Sequence, residues 1–280
     1  MQRILFKAYK IMLNISIVLY LPDWQQVISL TEVMLQCKHI NHVYWIDNSP
    51  TEALNPPLLS KKISYQHFSK NLGYGAGHNI AIRESIYDNI PFHLVINSDI
   101  LLPIGALDSM LEFMAQHPEI GVLTPKVTYP NGELQHLCKL LPTPLDVFGR
   151  RFLPNQWMRK RNSRYEMHAS GYNKIMNIPY LSGCCMLLRT KAVQEVRLFD
   201  ERFFMYPEDM DLTRRIHRAY LTVFFPHVVI IHNHEKASYK SPKMLWIHIV
   251  NMCKYFNKWG WFYDKERQLF NQIATEEYLK

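Results

Sequence analysis

With 280 residues, 48% hydrophobic and 20% charged, the chain can bury a sizeable core, which excludes a predominantly disordered protein. A formal charge of +8 favours anionic partners: nucleic acid, anionic lipid or phosphorylated ligands. Five cysteines, at 37, 138, 184, 185 and 253, are an odd set without C-x-x-C spacing; this fits neither a disulfide framework nor a zinc site and points to a reducing compartment.

The opening MQRILFKAYKIMLNISIVLYL resembles a signal peptide in outline, but Asn14 and Ser16 interrupt its apolar run and no small-residue cleavage site follows. A buried strand over residues 14–21 is expected instead, then an amphipathic helix over 24–38. HVYWID predicts a second strand, ending in Asp47-Asn48-Ser49-Pro50, and KISYQHF a third. A helix over 77–87 follows the glycine cluster Asn71-Leu72-Gly73-Tyr74-Gly75-Ala76-Gly77-His78-Asn79. FHLVIN is a fourth strand, ending at Asn97-Ser98-Asp99. Strands alternating with helices imply a largely parallel, doubly wound sheet, whose ligands bind beyond the carboxyl ends of the strands.

After Pro103 the periodicity loosens, with a strand and turn across GVLTPKVTYPNGEL. Residues 136–178, rich in Pro, Arg and aromatics, read as a long loop, and six Lys or Arg with no acid lie between Arg150 and Arg164. YLSGCCMLLR predicts one strand, residues 190–196 and 208–219 predict helices, and LTVFFPHVVIIH a last strand. No run of about 18 apolar residues occurs, so no spanning helix is expected.

Four constellations can carry chemistry. Glycines at 73, 75 and 77 allow close approach of backbone to phosphate or ribose, or simply make a tight turn. Asp99, directly after a strand, can hold magnesium or manganese, or cap a turn. Glu208, Asp209 and Asp211 crowd three carboxylates into four residues; one can deprotonate a hydroxyl, while Asp211 can pair with Arg214 or Arg215. His232-Asn233-His234, followed by Lys236, Ser238 and Lys240, can complete a metal site and neutralise phosphate.

In their order, IVLY, IDNSPTE, NLGYGAGHN, VINSDILL, LSGCCMLLR, FDERFFMYPEDMDLTRR and IHNHEKAS resemble family 2 glycosyltransferases, specifically the bacterial rhamnosyltransferase-like branch. The resemblance covers residues 14–238. It implies a GT-A fold, α/β and Rossmann-like with a mostly parallel central sheet flanked by helices, here with a C-terminal helical extension. It also implies an inverting transfer of sugar from a nucleotide-diphosphate donor. By resemblance, Tyr20, Asp47, Gly75, Gly77, Asn79 and Asn97 contact the nucleotide sugar, joined by Lys236 and Ser238. Asp99 and His234 are metal ligands for Mg2+ or Mn2+, with His232 an alternative. Asp209 is the catalytic base and Glu208 its neighbouring alternative. Asn-Ser-Asp replaces the family's D-x-D, so one carboxylate fewer faces the metal.

The expected organisation is a catalytic domain over 1–238, its nucleotide-sugar half 14–103 and its acceptor half 104–238, with an appendage over 239–280. That tail carries an apolar stripe through Trp246, Ile249, Val250 and Cys253, then Trp259, Trp261, Phe262 and Tyr263. It suits an anionic membrane surface, or packs on the domain. The expected donor is dTDP-linked, with rhamnose favoured, or UDP-linked. The expected acceptor is a glycan or polyprenyl-diphosphate-linked glycan of surface polysaccharide synthesis, reached from the cytoplasmic face of the membrane. A nucleotidyltransferase is disfavoured because IVLYLPDWQQ lacks a Gly-rich, basic triphosphate loop. A basic nucleic-acid-binding protein would give the acidic cluster 208–211 no role.

Overall fold

The computed structural model describes residues 11–53, 56, 60–233 and 241–279. In chain order the main elements are β1 (Leu13–Leu19), α1 (Trp24–Leu35), β2 (Ile40–Asp47), β3 (Ile63–His67), α2 (Tyr74–Tyr87) and β4 (Phe92–Ile96). Next come β5 (Ile100–Leu101), α3 (Ala106–Gln116), β6 (Ile120–Thr128), β7 (Cys138–Lys139), α4 (Arg150–Phe152) and α5 (Asn155–Tyr165). They are followed by β8 (Met176–Asn177), β9 (Tyr180–Leu181), β10 (Cys185–Arg189), α6 (Thr190–Glu195), α7 (Glu208–His217) and β11 (Leu221–His232). Two C-terminal helices close the chain, α8 (Pro242–Trp259) and α9 (Lys265–Tyr278).

Among the described residues the main sheet runs β3-β2-β1-β4-β10-β6-β11-β5, with β8 also on β11. β1, β2, β3 and β4 pair in parallel, as do β6 and β11. β10 lies antiparallel between β4 and β6, so the sheet is more mixed than the alternating pattern predicts. The reason is physical. Cys185–Leu188 is buried on both faces, which demands a central position, but hydrophobicity carries no strand direction. One face packs against α1 and α3 through Ile15, Ile17, Leu94, Met110 and Leu187. The other, with Val95, Met186 and Leu188, receives Leu212 and Ile216 of α7.

Three local expectations change. The stretch after Pro103 forms α3, whose buried Leu107, Met110, Leu111 and Met114 have helical spacing. YLSGCCMLLR is two strands, not one: β9 pairs with β7 in a separate ribbon and β10 enters the main sheet. Residues 136–178 contain α5, which buries only Met158 and Tyr165 and, apart from exposed Trp157, is otherwise polar, so no apolar stripe announces it.

A buried polar chain locks α2 onto β1 and β4. Asn14 Nδ2 donates to Ser85 Oγ at 3.0 Å, and Ser85 Oγ contacts His93 Nδ1 at 2.7 Å. Ser16 Oγ lies 2.8 Å from His93 Nε2 and 2.7 Å from His78 Nδ1. One proton order satisfies these contacts with both rings neutral: His78 Nδ1–H to Ser16, Ser16 to His93 Nε2, and His93 Nδ1–H to Ser85. Burial pushes His93 down to about 3 and His78 well below its usual value, with each ring's charge opposed by the low-dielectric core. The folded state thus binds fewer protons than the unfolded chain below about pH 6.5. Stability from these rings is complete above that pH and is lost as pH falls toward the folded values. The ring resonances of His78 and His93 are expected to stay in their neutral positions at pH 5; a midpoint near 6.5 for either contradicts this packing.

Candidate active site

The site lies where β1, β2 and β4 end and where α7 begins. A turn centred on Gly183, between β9 and β10, joins the two regions. Asp209 is buried at the first turn of α7; its Oδ2 accepts from Gly183 N at 2.8 Å and its Oδ1 from Met210 N at 2.6 Å. A Cβ at Gly183 would stand 3.0 Å from Asp209 Cβ and 3.3 Å from Oδ2, so the carboxylate needs glycine there. Burial pushes Asp209 up to about 6, against the two backbone N–H groups and Lys139, which favour its charge. Glu208 is also raised, by burial and by Asp209 beside it, and its Oε2 is buried with no hydrogen-bond partner among the described residues. Burial and the neighbouring Asp209 favour the protonated form of Glu208, whereas two backbone N–H groups hold Asp209 toward its charged form. Asp211, the third acid, is structural, bound by Arg215 at 2.8 Å, Lys258 at 2.6 Å and Trp259 Nε1 at 2.8 Å.

Tyr74, at the start of α2, connects the base to the end of β4. Its hydroxyl donates to the Gly183 carbonyl at 2.6 Å and lies 3.0 Å from Asn97 Oδ1. Two residues on, Asp99 Oδ1 stands 3.3 Å from His232 Nε2 at the end of β11. Asn97 Nδ2 reaches the same nitrogen at 3.5 Å. Gln135 sets the tautomer of His232. Its Nε2 donates to the His232 carbonyl at 2.8 Å, so its Oε1 must accept from His232 Nδ1, 3.1 Å away. The Nε2 lone pair is then turned toward the Asp99 carboxylate. An imidazole nitrogen, a partly exposed carboxylate and a polarising partner on the far ring nitrogen form a fitting donor pair for a divalent cation. Among the described residues no group of three His, Cys, Asp or Glu could hold a metal. His234, Lys236 and Ser238 lie outside the described residues.

The residues expected on the nucleotide side lie at the ends of β1 and β2 and at the start of α2. Asp47 ends β2 with Oδ2 accepting from Tyr65 OH at 2.7 Å and Oδ1 from Ser49 N at 2.8 Å. Beside it Leu21, Pro22, Trp24 and Ala53 help line an open cavity of about 340 Å³, and Tyr20 is exposed at the end of β1. Gly75, Gly77 and Asn79, expected to contact the nucleotide sugar, are engaged by the protein itself. A Cβ at Gly77 would meet Val18 at 2.7 Å and one at Gly75 would meet Phe199 at 2.9 Å. These glycines let α2 close on β1 and on the segment before α7. Asn79 accepts from Phe199 N at 3.0 Å and donates to Phe199 O and Glu201 Oε1, both at 2.9 Å. Gly73, with φ of +88°, allows the Tyr74 amide to bond Phe204 O at 3.0 Å. Tyr74, Gln135, Gly183 and Lys139 carry site geometry without any local sequence signal, since each acts through a tertiary contact.

A central mixed sheet with carboxylates at its strand ends and a carboxylate pair opening a flanking helix is the GT-A arrangement. Solved structures agree on the fold. GalNAc-T7, crystallised with UDP, GalNAc and Mn2+, superposes with a TM-score of 0.58 at 11% identity, covering 79% of this chain and 44% of its own. A mannosyltransferase from Pyrobaculum calidifontis, in complex with GDP-Man and Mn2+, gives 0.55 at 12% identity, covering 88% of this chain and 63% of its own. Residues 55–252 match the family described as "Glycosyltransferase like family 2", and the chain belongs to that family. A relative from Mycobacterium tuberculosis, N-acetylglucosaminyl-diphospho-decaprenol L-rhamnosyltransferase, is 29% identical over 189 residues. The match covers 61% of this chain and 59% of the relative, so the chain spans about three-fifths of that protein's length.

Proposed function

We propose that the chain is an inverting glycosyltransferase that moves a sugar from a nucleotide-diphosphate donor, dTDP- or UDP-linked with rhamnose favoured, to a polyprenyl-diphosphate-linked or other glycan acceptor. The carrying observation is the Tyr74 bridge. Its hydroxyl donates to the carbonyl of the Gly183 turn that holds Asp209 and stands 3.0 Å from Asn97 Oδ1, two residues before Asp99. A base and an anion-binding strand end thereby share one frame, as a displacement at an anomeric carbon requires. The name of the mycobacterial relative supports the acceptor class and the sugar.

Asp209 accepts the proton of the acceptor hydroxyl. The oxygen attacks the anomeric carbon as the bond to the nucleoside diphosphate breaks on the opposite face, inverting the configuration. Burial and the adjacent Asp209 raise Glu208, which disfavours a second negative charge beside the base. Asp99 and His232, with His234 as the alternative nitrogen ligand, would hold Mg2+ or Mn2+. Bound there, the cation would offset charge on the leaving diphosphate. Asp47, Tyr20 and the neighbouring cavity would receive the nucleoside, with Lys236 and Ser238 reaching the diphosphate. Residues 1–238 would form the catalytic unit and 239–280 the appendage.

Among the described residues no helix is long and apolar enough to cross a membrane. The tail is divided: Tyr255 and Phe256 are buried, and Trp259 lies against Arg214, whereas Trp246, Phe262 and Tyr263 are exposed. With Phe152 and Trp157, also exposed, they would seat the protein on the inner face of an anionic membrane.

Gln135→Leu is expected to weaken Mn2+-dependent nucleoside-diphosphate binding by roughly 10- to 100-fold, the usual penalty for losing a ligand's outer partner. Calorimetric titration with Mn2+ and UDP or dTDP checks this. Unchanged affinity in a folded variant removes His232 from the metal site.

A further inference from the structure

Asp47 is 1% exposed, yet it lines the cavity of about 340 Å³ at the ends of β1 and β2. Its carboxylate accepts from Ser49 N at 2.8 Å and from Tyr65 OH at 2.7 Å, and among the described residues no Lys, Arg or His pairs with it. A carboxylate has about four lone-pair sites, so roughly two are unused. Burying such a charge is costly unless the remaining sites meet donors, and the cavity is the open side from which donors can come.

The orientation of that carboxylate is set by Tyr65. In the parallel pairing of β2 with β3, Tyr65 lies beside Trp45 and His67 beside Asp47. Residues two apart share a face of the sheet, which brings the Tyr65 hydroxyl to Asp47. Trp24, the first residue of α1 and part of the cavity wall, flanks both rings, its centroid 5.7 Å from that of Trp45 and 6.1 Å from that of Tyr65. The Tyr65 hydroxyl also accepts from Ala53 N at 3.1 Å. An amide N–H can only donate, so the single phenolic proton goes to Asp47 Oδ2. Burial pushes Tyr65 up to about 12; the Ala53 N–H works against this and the carboxylate adds to it, so the proton stays in place near neutral pH. On the other side Leu21 N donates to Ser49 Oγ at 2.7 Å, with Leu21 at φ of +48°, a left-handed backbone that persists only where the surroundings impose it. The two residues that orient Asp47 thus also fix the cavity wall, Ser49 through Leu21 and Tyr65 through Ala53.

We propose that Tyr65 is a positioning residue for the nucleoside: its hydroxyl aims the unused lone pairs of Asp47 into the cavity, where they take an N–H or O–H donor of the base or ribose, and it holds Ala53 in the wall. The proposal rests on the reading of the Asp47 cavity as the nucleoside site. Tyr65 does not itself line the cavity, so it acts through Asp47 and Ala53 without touching the ligand. A pocket held this way is formed before the nucleotide arrives, which lowers the ordering cost of binding.

The test titrates the full chain with UDP and dTDP in the presence of Mn2+, and with pyrophosphate and Mn2+ as a ligand that lacks the nucleoside. Tyr65→Phe keeps the ring beside Trp24 and removes only the hydroxyl. It should weaken UDP or dTDP binding by about tenfold, the scale of one charge-assisted hydrogen bond, and leave pyrophosphate binding unchanged. In an Asp47→Asn background the same change should cost less than about twofold, because the two residues act as one unit. Thermal melts and the pyrophosphate titration report folding in each variant. Equal nucleotide affinity in wild type and Tyr65→Phe overturns the proposal. So does an equal loss for pyrophosphate and nucleotide, the mark of a general loosening. A full loss of about tenfold in the Asp47→Asn background also overturns it, since the hydroxyl then acts elsewhere. Failure of wild type to bind any nucleotide removes the donor reading and this role with it. Nucleotide binding that is intact in Tyr65→Phe leaves the donor reading standing and removes only the role of Tyr65.

Discussion

Asp209→Asn is expected to lower turnover by roughly a hundred- to ten-thousandfold, the range associated with removing a general base. The amide can keep Oδ1 or Oδ2 as an acceptor for a backbone N–H, so the Gly183 turn and donor binding should survive within about twofold. A sign argument gives the pH profile. The base works deprotonated, and burial places Asp209 at about 6. The kcat/KM of wild type should therefore fall as pH drops through that value. Single-turnover transfer measured from pH 5 to 8 provides the check. Near-normal turnover in Asp209→Asn, or an acid limb near 4, would exclude Asp209 as the base.

Replacing Arg214 by alanine should destabilise the fold by about 3–5 kcal/mol, the cost of breaking a buried ion pair from one side. Arg214 is 1% exposed on α7 and bonds Asp264 twice, at 2.8 and 2.7 Å, and Glu266 at 2.7 Å. Its guanidinium lies 4.0 Å from the centre of the Trp259 ring. Asp264 also caps α9 by accepting from Arg267 N at 2.9 Å, so the variant leaves a helix cap and an uncompensated buried carboxylate together. The same helix starts with Glu208 and Asp209, which makes the docking of α8 and α9 a condition for a rigid base. Urea denaturation measures the loss. Glu266→Gln, at a site 24% exposed, should cost about 1 kcal/mol or less and serves as the control. A cost below that level for Arg214→Ala would mean that the tail is only loosely attached.

What could be read from the sequence follows from which signals are local. Period-two and continuous apolar runs locate β1, β2, β4 and β11, and the family resemblance fixes the GT-A class. The direction of β10 depends on a long excursion through residues 137–184, and no pattern within Cys185–Arg189 encodes it. Asp99 and Asp209 stand out because a carboxylate after a buried strand or inside an acidic cluster is costly without a partner. Gln135 and Gly183 do not stand out. Gln135 is an ordinary polar residue until β11 brings the His232 carbonyl and Nδ1 to it. The glycine cluster shows the opposite case. Its spacing suggests approach to a phosphate, and Gly75 and Gly77 also meet Phe199 and Val18, a demand of helix packing that looks identical in sequence. Similarly, Trp246, Ile249, Val250 and Cys253 form a clear helical stripe, yet the face of α8 that packs inward carries Asn251, Met252, Tyr255 and Phe256. Burial there is decided by where α7 and Phe203 lie, not by the tail's own hydrophobic pattern.

The most direct test of the central claim is the melting temperature of wild type and Asp99→Ala with UDP, dTDP, GDP and their sugars, each with and without Mn2+. A ligand that binds only the folded state at about 100 times its Kd adds about 2.7 kcal/mol. The account predicts a Mn2+-dependent rise for wild type with a dTDP or UDP ligand, abolished in Asp99→Ala. No rise with any nucleotide in a folded sample, or an equal rise in Asp99→Ala, would contradict it.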